Sequence, residues 1–73
     1  MKDELTPRER DTLDYIIEFK KVNGYSPTLL EIMYGINTHS KTHVLQMLNR
    51  LKDKGYITFK EKTPRTIRVI KFN

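Results

Sequence analysis

Between Leu13 and Val22 the apolar residues recur at helical spacing, in two stripes rather than one: Leu13, Ile16, Ile17 and Lys20, then Tyr15, Phe19 and Val22. Ahead of them, Thr6-Pro7-Arg8-Glu9 reads as a capping box with proline at the first helical position, and Asn23-Gly24 supplies a stop. A first helix is therefore predicted, apolar on two sides. Either both stripes are core, or Tyr15, Phe19 and Val22 form a surface for a partner.

Tyr25-Ser26-Pro27 is an extended connector, because the residue before proline is pushed out of the helical region. Thr28-Leu29-Leu30-Glu31 is a second capping box, opening a short helix that buries Leu29 or Leu30 together with Ile32 and Met33. Gly35 and Asn37, poor in helix interiors and tolerant of left-handed backbone, should end it within about two turns. Ser40 is the next N-cap. Val44, Leu48 and Leu51, with Met47 at the flank, carry a third helix to Lys54-Gly55. Beyond it the period changes: Tyr56–Phe59 and Thr66–Ile70 are rich in β-branched and aromatic residues and enclose the basic segment "KEKTPR", with Pro64 in the turn. Two helices joined by a tight turn, then a hairpin, predict an α+β winged helix-turn-helix: three helices followed by a two-stranded antiparallel β-hairpin wing.

Length and charge sharpen this. With 73 residues there is room for a single domain, 1–73, and a deep catalytic cavity is not expected. The absence of Cys removes disulfides and thiolate zinc sites as supports. No apolar run approaches the roughly 18 residues of a membrane span, and the first ten residues lack a signal-peptide core, so a cytoplasmic protein is expected. The net charge of +5 is unevenly placed: residues 1–40 hold five basic and seven acidic residues, residues 41–73 nine basic and two acidic. That asymmetry makes the second half a candidate nucleic-acid surface.

The segments "LTPRERDTLDYI", "NGYSPTLLEI", Ser40, "LNRLKDKGYI" and "TIRVI" together resemble the N-terminal DNA-binding domain of the LexA repressor family, without gaps from Leu5 to Ile70. The resemblance implies operator binding by a repressor of damage-inducible (SOS) genes, with the helix after Ser40 in the major groove. Full-length family members add a self-cleaving Ser/Lys peptidase domain, preceded by an Ala-Gly cleavage site. This chain ends at Asn73 and has no Ala, so it is expected to lack that route, either as a stand-alone regulator of a phage or mobile element or as an excised domain. Asn37 stands where the family usually has Gly. Positions 39, 41, 42, 43, 45 and 46 also differ from the family, so no operator sequence is implied.

With Val44, Leu48 and Leu51 inward, the third helix turns Thr42, Gln46, Asn49 and Asp53 outward, with His43 and Arg50 beside them. Gln and Asn suit adenine, Thr a thymine methyl, and Lys or Arg guanine or phosphate. The expected groove residues are Ser40, Lys41, Thr42, His43 and Gln46, with Asn49 and Arg50 near the backbone and Leu45 either core or a methyl contact. Thr28 at the second helix, and Lys60, Lys62, Thr63 and Arg65 on the wing, are expected phosphate or minor-groove contacts; the bland reading of the wing is a solvated hairpin tip. The expected partner is double-stranded DNA, bound by a monomer or weak homodimer, dimeric on a palindromic site. A cofactor is not expected. His39 and His43 are four apart, but a cap at Ser40 leaves His39 outside the helix and no third ligand is near, so neither a metal nor a catalytic serine is read there. The rival reading is a protein-interaction adaptor or antirepressor working through Tyr15, Phe19 and Val22.

Overall fold

The computed structural model describes residues 4–71. Helices α1 (Pro7–Asn23), α2 (Leu29–Gly35) and α3 (Lys41–Asp53) precede an antiparallel ribbon of β1 (Ile57–Thr58) and β2 (Arg68–Val69), in which Ile57 faces Val69 and Thr58 faces Arg68. This is the winged helix-turn-helix arrangement.

Local chemistry sets the helix ends. Both capping boxes form: the Thr6 hydroxyl accepts from the Glu9 N–H at 3.2 Å while Thr6 N–H donates to the Glu9 carboxylate at 3.0 Å, and Thr28 and Glu31 repeat the exchange at 3.3 and 2.8 Å. Each pair satisfies donors that a helix start leaves open. Helices α2 and α3 close alike. Asn37 takes φ 60°, with Asn37 N–H to Tyr34 O and Thr38 N–H to Met33 O; Gly55 takes φ 83°, with Gly55 N–H to Lys52 O and Tyr56 N–H to Leu51 O. Those are Schellman closures, and Asn at the first of them performs the role glycine usually fills.

Leu13 and Ile16 of α1, Ile32 of α2, Val44, Leu48 and Leu51 of α3, and Ile36, Tyr56, Ile57 and Ile67 from the connections and ribbon form the core. The second stripe of α1 divides. Tyr15 packs against the core, Phe19 is half-buried with its ring centroid 5.9 Å from that of Tyr15, and Val22 is 72% exposed. Leu29, not Leu30, joins the core, and Met47 is buried rather than marginal. Gly35 does not take the left-handed conformation; it is the last helical residue of α2, and a Cβ there would run into the Tyr15 ring.

The ribbon is shorter than the β-prone runs predict. Past Thr58 the ladder gives way to a side chain: the Thr66 hydroxyl accepts from Lys60 N–H at 3.0 Å and donates to the Thr63 carbonyl at 2.9 Å. Lys62 and Arg65 shape the tip with φ near 60°.

Glu9 is buried, and its carboxylate also receives the Lys54 ammonium at 2.6 Å, tying the start of α1 to the end of α3. Lys54 also donates to the Glu4 carbonyl at 2.8 Å. Burial pushes the Glu9 carboxyl up, but hydrogen bonds from Lys54 and Thr6 and the charges of Lys54 and Arg50 outweigh it, leaving its pKa below the usual carboxylate range.

A depressed folded pKa contributes stability that is present above the unfolded carboxylate value of about 4.3 and lost as pH falls through the folded value. Glu9→Gln keeps a cap acceptor but loses the ion pair. It should lower unfolding free energy near neutrality by about 1.5–3 kcal/mol and flatten the acid limb of a denaturation series; an unchanged acid limb would show that the pair contributes nothing. Gly35→Ala should lower the melting temperature, because overpacking costs about 1–3 kcal/mol against about 1 kcal/mol of gained helix propensity. A raised midpoint would mean that Tyr15 yields freely.

Candidate nucleic-acid interface

Ser40 caps α3 in extended backbone, its Oγ accepting from His43 N–H at 3.1 Å. This splits the histidine pair: His39 is an exposed turn residue and His43 a half-buried helical one. Among the described residues no three His, Cys, Asp or Glu side chains converge on a metal position. Beyond the cap, Lys41, Thr42, Gln46, Asn49 and Arg50 are exposed, opposite the buried Val44, Met47, Leu48 and Leu51. The outward face is thus polar, with Lys41 at its start and both Arg50 and Asp53 toward its end.

Between α2, α3 and the ribbon tip runs a groove of about 350 Å³. Its floor is apolar, including Leu45, Leu48 and Phe59, while Lys41 of α3 and Lys60 and Lys62 of the wing stand along it. Thr28 lines the same groove. Although its Oγ1 is taken as a cap acceptor, a hydroxyl keeps one proton to donate. Thr63 is exposed at the tip.

Arg65 lines the same groove and is also paired across to α2. Its guanidinium turns back from the tip to α2, with one nitrogen 3.1 Å from Glu31 Oε1 and 3.0 Å from the Ser26 carbonyl, and the other 3.1 Å from Glu31 Oε2. It also lies 4.5 Å over the Tyr25 ring. Planar fork geometry matches a carboxylate at two points, and that match draws Arg65 inward. Glu31 is held below the usual carboxylate range by the Thr28 N–H, then by Arg65. Tyr25 continues a ring series, 5.9 Å from Phe19. Tyr15 is packed on the core, while half-buried Phe19 lies between the Tyr15 and Tyr25 rings at the surface.

Other cations are also occupied. Lys54 serves Glu9, Lys52 lies 5.5 Å from the centre of the Phe59 ring, and Lys71 lies 4.5 Å from that of Tyr56. The parts of this surface that sequence reasoning missed, Glu31 as a partner for Arg65 and Tyr25 beneath it, join residues 34 and 40 positions apart, where no periodicity reports a contact. Exposed Leu30 and Tyr34, 61% and 86% accessible, were missed as well.

Residues 1–66 match the model of the LexA DNA binding domain family. Similar proteins include the LexA repressors of Desulforamulus reducens, 39% identical over 90% of this chain, of Moorella thermoacetica, 33% over 96%, and of Staphylococcus epidermidis, 36% over 92%. Those matches cover 31%, 34% and 32% of the respective relatives, so the chain spans about a third of their length. No helix among the described residues is long and apolar enough to cross a membrane. By sequence and by fold, the chain belongs to the LexA DNA-binding domain family and has its winged helix-turn-helix architecture.

Proposed function

We propose that residues 1–73 act as one sequence-reading module of a transcriptional repressor, which occludes a promoter by laying α3 in the major groove. The observation that carries this reading is the placement of Lys41, Thr42 and Gln46 on the exposed start of α3, with Lys60 and Lys62 across the same groove. Thr42, Gln46 and Asn49 supply base-edge donors, acceptors and a methyl; Lys41, His43 and Arg50 flank them. Ser40, Thr28 and the wing lysines contact phosphates. Arg65 is withdrawn from that set, since its donors face Glu31 and Ser26. One such module buries little area, so tight binding is expected to use two copies on a palindrome. The similar proteins named above are LexA repressors, which supports repression as the output.

Affinity should come from counterion release and discrimination from α3. If about four to six phosphates are neutralised, log K against log salt should have a slope of about −4 to −5. Thr42→Ala with Gln46→Ala should abolish preference between a bound duplex and its scrambled competitor while keeping that slope, measured by competition titration. Preserved preference would move base reading off this face, and a slope near zero would reject the electrostatic account altogether.

A further inference from the structure

The wing of this protein rests on little of its own. Two residues per strand are too few for an isolated ribbon to persist in water, and its tip carries Lys62 and Arg65 in left-handed backbone, at φ 63° and 60°, which L residues other than Asn rarely adopt. The Thr66 hydroxyl, bonded to Lys60 and Thr63, and the buried Ile57 and Ile67 at its base hold part of that shape, and contacts from outside the ribbon add to them. Three contacts from Arg65 do so: the two-point fork on Glu31, the bond to the Ser26 carbonyl and the stack on Tyr25. Each lands on a different part of the frame that sets α3. Glu31 is the capping-box carboxylate of α2, Ser26 belongs to the connector before it, and Tyr25 leans on Phe19 of α1.

We propose that Arg65 is a positioning residue for DNA reading: with Glu31 and Tyr25 it clamps the wing to the first turn of α2, so that Lys60 and Lys62 stand at a fixed distance from α3, and it makes no phosphate contact itself. This rests on the DNA-reading function above. Its charge is paired with Glu31 at the surface, so in this arrangement Arg65 neutralises no phosphate and adds nothing to the salt slope. Lysine cannot replace it, since an ammonium has neither the two-point fork nor the flat face that lies on Tyr25.

The sign of one substitution separates clamp from contact. Glu31→Gln raises the net charge by one and retains a cap acceptor, so electrostatics alone would tighten DNA binding; the clamp requires that it weaken, by about tenfold. Binding to a duplex selected by the unaltered chain would be titrated by anisotropy over a salt series, with thermal melts run on every variant. Arg65→Gln and Arg65→Lys should weaken binding as much as Glu31→Gln does, the double variant Glu31→Gln/Arg65→Gln no more than either single, and all four should keep the original salt slope. Lys62→Gln should instead reduce that slope by about one. If Glu31→Gln proves poorly folded, Arg65→Lys, which leaves the cap untouched, decides alone. Unchanged or tighter binding by Glu31→Gln overturns the clamp. So does a slope lowered by about one in Arg65→Gln with affinity kept in Arg65→Lys, which would return Arg65 to the phosphate contacts. If the unaltered chain binds no duplex, the DNA-reading function fails rather than the clamp.

Discussion

Two glutamates at the third positions of their helices organise this molecule. Each closes a capping box, a contact three residues long, and each also holds a cation far along the chain: Glu9 receives Lys54, and Glu31 receives Arg65. The same carboxylate that tells a helix where to begin therefore tells a distant segment where to lie. Through Glu9 the start of α1 is fixed to the end of α3; through Glu31 the start of α2 is fixed to the wing. The core, built on Leu13, Ile16, Ile32, Leu48 and Leu51, supplies the stabilising burial, but it is non-directional. The ion pairs set orientation.

This division sorts cations of the basic half into those with a partner in the fold and those that line the groove. Lys54 and Arg65 neutralise carboxylates, and Lys52 and Lys71 lie over aromatic rings. Lys41, Lys60 and Lys62 line the groove between α3 and the wing, beside the polar face of Thr42 and Gln46. Charge counted from the sequence thus overstates what DNA meets. A cation already paired with a carboxylate is less free to neutralise a phosphate and so to release the counterions condensed on it, which makes the electrostatic footprint depend on geometry as well as on the tally of lysines and arginines.

What the sequence discloses follows the range of the interactions. Both capping boxes, the Ser40 cap, the left-handed Asn37 and the buried stripe of α3 depend on residues three to five apart, and all are legible without a structure. Gly35 is different: its need for a bare Cα comes from Tyr15, twenty residues earlier, so a local reading assigns it a turn role it does not play. The wing is misread for a related reason. β-Propensity marks Thr66 as a strand residue, yet its hydroxyl replaces the ladder by bonding to Lys60 and Thr63. Arg65 looks like a free wing-tip cation until Glu31 is placed opposite it. The outward face of α3 is legible because it is the complement of the buried stripe.

On this reading the exposed start of α3 reads sequence, with the wing held beside it. The reading is tested most directly by incubating the purified chain with a pool of random duplexes at low salt, recovering the bound fraction over several rounds and sequencing it. An enriched motif is expected. A recovered pool indistinguishable from the input, despite measurable binding, would reduce the protein to a non-specific polycation and contradict this reading.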